Sequence, residues 1–166
     1  MAHTDQESAY ALLWKKIRPV KFAMLTCEDA HGDLTSRPMT TVQDEFSGSL
    51  WFFTSRESPV VKSLPASSAV NVSYSEPKDD LYVSLSGRAV IDSSHARREQ
   101  LWSVMVKAYF PKGIDDPDLV LLRVDVHGAE YWDVTESKAV QLFKLTKAIV
   151  SGERPEHLGE HANLEL

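Results

Sequence analysis

Between Phe22 and Val134 the chain passes through short runs rich in β-branched and aromatic residues, closed off by turn residues and seldom separated by a helix-length segment. FAMLTCE, LTSRPMTTV, LWFFTS, AVNVSYS, LYVSLSGRAVI, LVLLRVDV and AEYWDV each read as a strand. A parallel sheet needs a helix after nearly every strand, and this sequence does not supply them. The pattern therefore predicts a mainly β fold, an antiparallel barrel, closed or nearly so, with peripheral helices. The first three runs have the spacing of an antiparallel meander, Gly87 is a candidate bulge, and His127-Gly128 predicts the turn of a last hairpin.

Helices fill the remainder. Thr4-Asp5-Gln6-Glu7 has the form of a capping box ahead of Ala9, Leu12, Leu13 and Ile17, which predicts a first helix ending near Arg18. SPVVKSL joins an N-cap serine to a proline at the first helical position and predicts a short helix after LWFFTS. Asp92, Ser93 and Ser94 offer a start for one helix over HARREQLWSVMVKAYF, 111–117 reads as a loop, and 137–150 returns to helical spacing. A chain of 166 residues suits one domain, here 1–150, with 151–166 an extended tail packed on the domain or on a dimer.

The net charge of −6 argues against nucleic acid as a partner, because phosphate neutralisation needs clustered Lys and Arg. No apolar run approaches the ~20 residues that cross a bilayer, and the start MAHTDQESAY lacks the order of a signal peptide; the expected location is the cytoplasm. Cys27, the single cysteine, reads as a small buried hydrophobe.

Two features point to a ligand. In TSRPMT an arginine and a proline interrupt a strand, which marks either an exposed edge or a ligand-facing segment. In FFTSRESPVVK, Thr54, Ser55 and the following helix start offer hydroxyls and free N–H groups, with Lys62 about one turn into the helix. With Arg37 pointing the same way these groups would form a phosphate cradle; the plain alternative is a capped helix beside a solvated lysine. No glycine-rich dinucleotide fingerprint or P-loop is present. Trp14, Trp51, Trp102 and Trp132 read first as core or interface aromatics. His157 and His161 have a spacing that would suit a metal only on a helix, which Pro155 and Gly159 argue against, so no metal is expected. Asp79-Asp80 and Asp115-Asp116 read as solvated loop charge, and no catalytic residue can be assigned.

Ser36-Arg37-Pro38-Met39, Trp51-Phe52-Phe53-Thr54-Ser55, Lys62, Glu130-Tyr131-Trp132, Gly152-Glu153-Arg154-Pro155 and Gly159-Glu160-His161 stand in an order that resembles the general stress protein family of FMN-binding split barrels, relatives of pyridoxamine 5′-phosphate oxidase. The resemblance implies a split antiparallel β-barrel homodimer with FMN at the interface. It implies that Arg37, Pro38 and Met39 lie along the flavin ring, and that Phe53, Thr54, Ser55 and Lys62 hold ring edge, ribityl chain and phosphate. Trp132, with Trp102 and Phe110, would approach from the partner subunit. Ser84 and Ser86 could face the site. The basic residues and histidine that clamp the substrate phosphate in the pyridoxamine phosphate oxidases are not found, so that activity is not implied. The expected function is a flavin-dependent oxidoreductase acting on a small molecule. The alternatives are a non-catalytic flavin store or sensor, and a split barrel binding deazaflavin or haem.

Overall fold

The computed structural model describes residues 2–65, 68–134 and 160–165. Seven strands form one antiparallel sheet: β1 (Ala23–Glu28), β2 (Leu34–Met39), β3 (Ser49–Ser55), β4 (Ala69–Glu76), β5 (Leu81–Asp92), β6 (Leu119–Asp133) and β7 (Glu160–Glu165). Their order is β2-β1-β4-β5-β6-β3, with β7 also paired to β6. The mainly β expectation holds.

The meander does not. β1 and β2 do form a hairpin, through a turn in which the Asp29 carboxylate accepts from the N–H groups of His31 and Asp33 at 2.8 and 3.1 Å. Those donors hold the Asp29 carboxyl below its usual range. β3, however, pairs with β6 at the other end of the strand order. There it sets Leu50 and Phe52 against Val124 and Leu122, all fully buried. The two ends of the order meet just beyond β2, where the Val42 N–H donates to the Trp51 carbonyl at 3.1 Å and the Gln43 side chain accepts from the Trp51 N–H at 2.7 Å. The sheet is thus curled into a barrel whose seam is bridged at 42–43, a split barrel.

The expected hairpin turn at His127-Gly128 is instead the middle of one 15-residue strand. Core-facing residues along β6 are even-numbered up to Val126 and odd-numbered from Ala129 to Tyr131. A strand can change phase without turning only by carrying an extra residue. Ser86 pairs with Gly128 and Gly87 with Val126, so the extra residue is His127, exposed on β6. Gly87 lies opposite the bulge, where a Cβ would stand 2.7 Å from the Asp125 carbonyl oxygen and 2.8 Å from Val124 Cγ1. Gly87→Ala is therefore expected to lower stability by about 1–3 kcal/mol, seen as a lower denaturation midpoint.

The first helix, α1 (Ala2–Ile17), starts before the capping box, since first-turn N–H groups can be satisfied by water as well as by a side chain. Its Leu13 and Ile17, one turn apart, are fully buried. α2 (Pro59–Ser63) has Ser58 at its N-cap position, but the serine side chain makes no cap bond. The single helix expected over 95–110 is two, α3 (His95–Leu101) and α4 (Val104–Tyr109). Trp102 is extended at the break, and Ser103 caps the second piece by accepting from the Val106 N–H at 3.3 Å. On β6, Leu119 and Leu121 lie outside the main core cluster and are still fully buried. In the loop between α4 and β6, Asp116 is buried rather than solvated, and it accepts from the Asp118 N–H at 2.9 Å. The helix expected over 137–150 lies outside the described residues.

The core includes Leu25, Phe52, Val72, Leu85, Leu122 and Tyr74. Burial pushes the Tyr74 phenol up to about 12, partly offset by its hydrogen bond with Thr41. A phenol whose folded pKa is raised stabilises the fold fully below its unfolded value near 10, and that contribution is lost as pH rises through the folded value. Stability is accordingly expected to fall from about pH 10 to about 12, and the Tyr74 share, on the order of 2–3 kcal/mol, to be absent in Tyr74→Phe; denaturant titrations at pH 9 and 12 check this.

Candidate functional site

Strand register decides which expected site residues share a face. Arg37 lies opposite Leu25, Leu25 opposite Val72, Val72 opposite Leu85 and Leu85 opposite Ala129, so Arg37 projects to the barrel side of the sheet. Met39, opposite Ala23, is on that side too and is buried, whereas Pro38, opposite Met24, is on the outer side. β2 is an edge strand, which is where a proline costs a sheet least. Arg37 is half-buried, and its Nη2 donates to Thr35 Oγ1 at 3.0 Å and lies 3.9 Å from Cys27 Sγ. Its Nε is buried with no hydrogen-bond partner. A charged donor left in that state is costly unless something accepts from it. Cys27 itself is buried, as expected.

On β3 the same alternation separates Thr54, whose side chain faces the core, from Phe53 and Ser55 on the outer side. Phe53 meets Trp102 edge to face, with ring centroids 5.9 Å apart. Ser55 Oγ donates to Asp118 Oδ1 at 2.8 Å and accepts from the Glu57 N–H at 3.0 Å. Lys62 Nζ is 2.6 Å from Glu57 Oε2, both side chains being well exposed. Such a surface pair is worth about 0–1 kcal/mol and is easily exchanged for a stronger anion. Ser58 Oγ, at the head of the same short helix, is buried without a partner. Phe110 ends α4 and is half-buried. Thr54, Ser55 and Lys62 thus flank one strand end, but Ser55 is already committed to Asp118, a residue 63 positions away that local spacing does not point to.

Trp132 stands apart from both groups. It lies between Tyr82 on β5 and His161 on β7, on the outer face of the sheet, and 39% of it is exposed. Ser84 and Ser86 are on that same outer face, in register with Glu130 and Gly128. The three groups, Arg37 to Met39, the β3 end with α2, and Trp132, are therefore not gathered into one pocket of a single chain. Two concavities form elsewhere. One, of about 740 Å³, is polar and has Trp51 on its wall beneath the guanidinium groups of Arg97 and Arg123, 5.0 and 5.8 Å from the ring. The other, of about 320 Å³, lies beside Cys27, Asn71, Ser86 and His127. None of the ten residues expected to hold flavin lines either. Among the described residues no group of three or more His, Cys, Asp or Glu is placed to hold a metal ion.

Sequence reading missed a partly buried network that fastens the last strand. Lys16 of α1 pairs with Asp133 and sits 4.4 Å over the Tyr131 ring, and the Tyr131 hydroxyl donates to Glu160 Oε1 of β7 at 2.7 Å. Burial first, and then that carboxylate, push the Tyr131 phenol up to about 12. Periodicity carries no signal for such a network, because its members come from three distant segments.

Comparisons with known proteins agree with this fold. A general stress FMN/FAD-binding protein from Xanthomonas citri is 32% identical, with 80% of this chain and 92% of that one covered and a TM-score of 0.69. A protein from Jannaschia sp. CCS1 assigned as general stress protein 26 is 26% identical over the whole of both chains, with a TM-score of 0.71. A Clostridium acetobutylicum protein related to general stress protein 26 shares the fold at 16% identity, covering 96% of both chains with a TM-score of 0.72. A search of curated proteins returns no significant match. The family model "Pyridoxamine 5′-phosphate oxidase like" matches residues 8–156. With the split barrel in place and that match spanning nearly the whole chain, the protein belongs to the pyridoxamine 5′-phosphate oxidase-like family.

Proposed function

We propose that this protein binds FMN in a site shared between two copies of the chain, and that the bound flavin exchanges electrons with a small molecule in the cytoplasm. The observation that carries the shared site is one of faces. Arg37 projects to the barrel side of the sheet while Trp132 stands on the outer side, so a single flat ligand cannot meet both within one chain. Supplied by a second copy, Trp132 offers an exposed aromatic wall to the other chain's cradle. The likeness to the Xanthomonas citri FMN/FAD-binding protein supports flavin as the ligand.

The residues present suit such a group. Arg37 has a buried, unpartnered Nε, Ser58 a buried, unpartnered Oγ, and Lys62 only an exposed partner to release. Lys62 would hold the anionic end and Arg37 would lie along the flavin ring, with the backbone of Phe53 and Thr54 at the ring edge and Ser55 a lesser contact while it serves Asp118. Flavin supplies the redox chemistry when bound, and the protein supplies orientation and charge. Trp102 and Phe110 would approach with Trp132 from the second copy, where Trp102 is braced edge to face on Phe53 of its own chain.

Arg37→Ala and Lys62→Glu are each expected to weaken FMN binding by about 1–3 kcal/mol, measured by quenching of flavin fluorescence; unchanged affinity in both would reject the cradle. Oxidation of NADH or NADPH by the loaded protein tests the redox half. A rate no faster than that of free FMN would leave a non-catalytic flavin-binding role. An absorption spectrum separates flavin from deazaflavin and from haem.

A further inference from the structure

Trp132 is held by something the shared-site reading does not use. β7 runs antiparallel to β6, with His161 directly opposite Trp132 and Asn163 opposite Glu130. The His161 ring lies flat on the Trp132 ring, with centroids 5.0 Å apart and planes within 8°. The imidazole is tethered in turn, its Nε2 standing 2.7 Å from Glu130 Oε1. One residue earlier on β7, Glu160 is anchored by the Tyr131 hydroxyl at 2.7 Å. The imidazole therefore covers one face of an indole that is still 39% exposed.

An exposed tryptophan on a strand has several rotamers open to it, and a ligand that stacks on it must first select one. A flat partner fixed from two sides removes that freedom beforehand. We propose that His161 is a positioning residue: by stacking on Trp132 it sets the plane in which the indole's free face meets the planar heterocycle held by the second copy. The inference rests on the shared-site reading. It gives β7 a role at the ligand site through Trp132, with no contact to the ligand itself. Glu130 belongs to the same device, since it fixes the imidazole that fixes the indole.

The test uses FMN titrations of the full chain and of His161→Ala, His161→Phe, Trp132→Ala and the double variant Trp132→Ala/His161→Ala, together with near-ultraviolet circular dichroism of each without flavin. His161→Ala is expected to weaken FMN binding by roughly two- to tenfold, the scale of one aromatic pair, and to change the tryptophan dichroism. His161→Phe, which keeps a flat ring and loses the tether to Glu130, should recover most of both signals. In the Trp132→Ala background, removing His161 should add nothing. Weak binding by Trp132→Ala with wild-type affinity in His161→Ala would overturn the positioning role and leave the shared site standing. An equal further loss on removing His161 from the Trp132→Ala background would also overturn it, because His161 would then act without the indole. Wild-type affinity in Trp132→Ala would remove the shared-site reading, and this inference with it.

Discussion

Lys16→Ala is expected to lower the unfolding free energy by about 3 kcal/mol, since it strips the partner from a carboxylate that is only partly accessible. The side chains of Lys16 and Asp133 are 11% and 18% exposed, so water can reach Asp133 only in part to replace the lost ammonium. The same deletion removes the cation over the Tyr131 ring, and Tyr131 carries the hydroxyl that holds Glu160 of β7. The loss should therefore have a local signature: amide hydrogens of 160–165 should exchange faster than those of β4 and β5. Removing both charges together, as Lys16→Met with Asp133→Leu, should recover most of the stability, because a buried pair replaced by packed apolar groups leaves no stranded charge. Urea denaturation of the two variants beside the wild type distinguishes a stranded charge from a simple packing loss.

Phe52→Ala should cost still more, about 3–5 kcal/mol, as a large cavity opens where β3 meets β6. Phe52 is fully buried opposite Leu122, which is fully buried as well. Phe52→Leu nearly conserves volume and should cost less than about 1.5 kcal/mol. Because β3 also carries Phe53 and Ser55 on its other face, the alanine variant should lose FMN affinity in step with its fraction unfolded, whereas the leucine variant should keep it. A flavin titration run beside the denaturation curves separates those outcomes.

Much of this arrangement was legible in the residues. Alternation located β1 through β5 closely, and the serine and proline of SPVVKSL located the short α2. At β6 the sequence shows a real discontinuity, a change of phase at His127-Gly128, but phase alone cannot tell a turn from a bulge. What decided for the bulge was β5, a 12-residue strand whose glycine lets the two backbones approach at that point. The break between α3 and α4 was hidden for a similar reason. Ser103 caps a new helix directly after Trp102, which leaves helical geometry and packs on Phe53, and that contact joins segments far apart in the chain.

The candidate site divides along the same line. The sequence by itself determined the residue types: an arginine and a proline in an edge-strand segment, hydroxyls and a lysine at a strand-to-helix junction, a tryptophan in a later strand, and a motif order shared with a known family. Local spacing suffices for that, because each motif lies within a few residues. Only the tertiary structure decided that Arg37 and Trp132 project to opposite faces of one sheet, that Asp118 already occupies Ser55, and that His161 covers one face of Trp132. Faces and partners of this kind are set by strand pairing between distant segments, and pairing is an outcome of the whole core packing at once rather than a property of any one stretch.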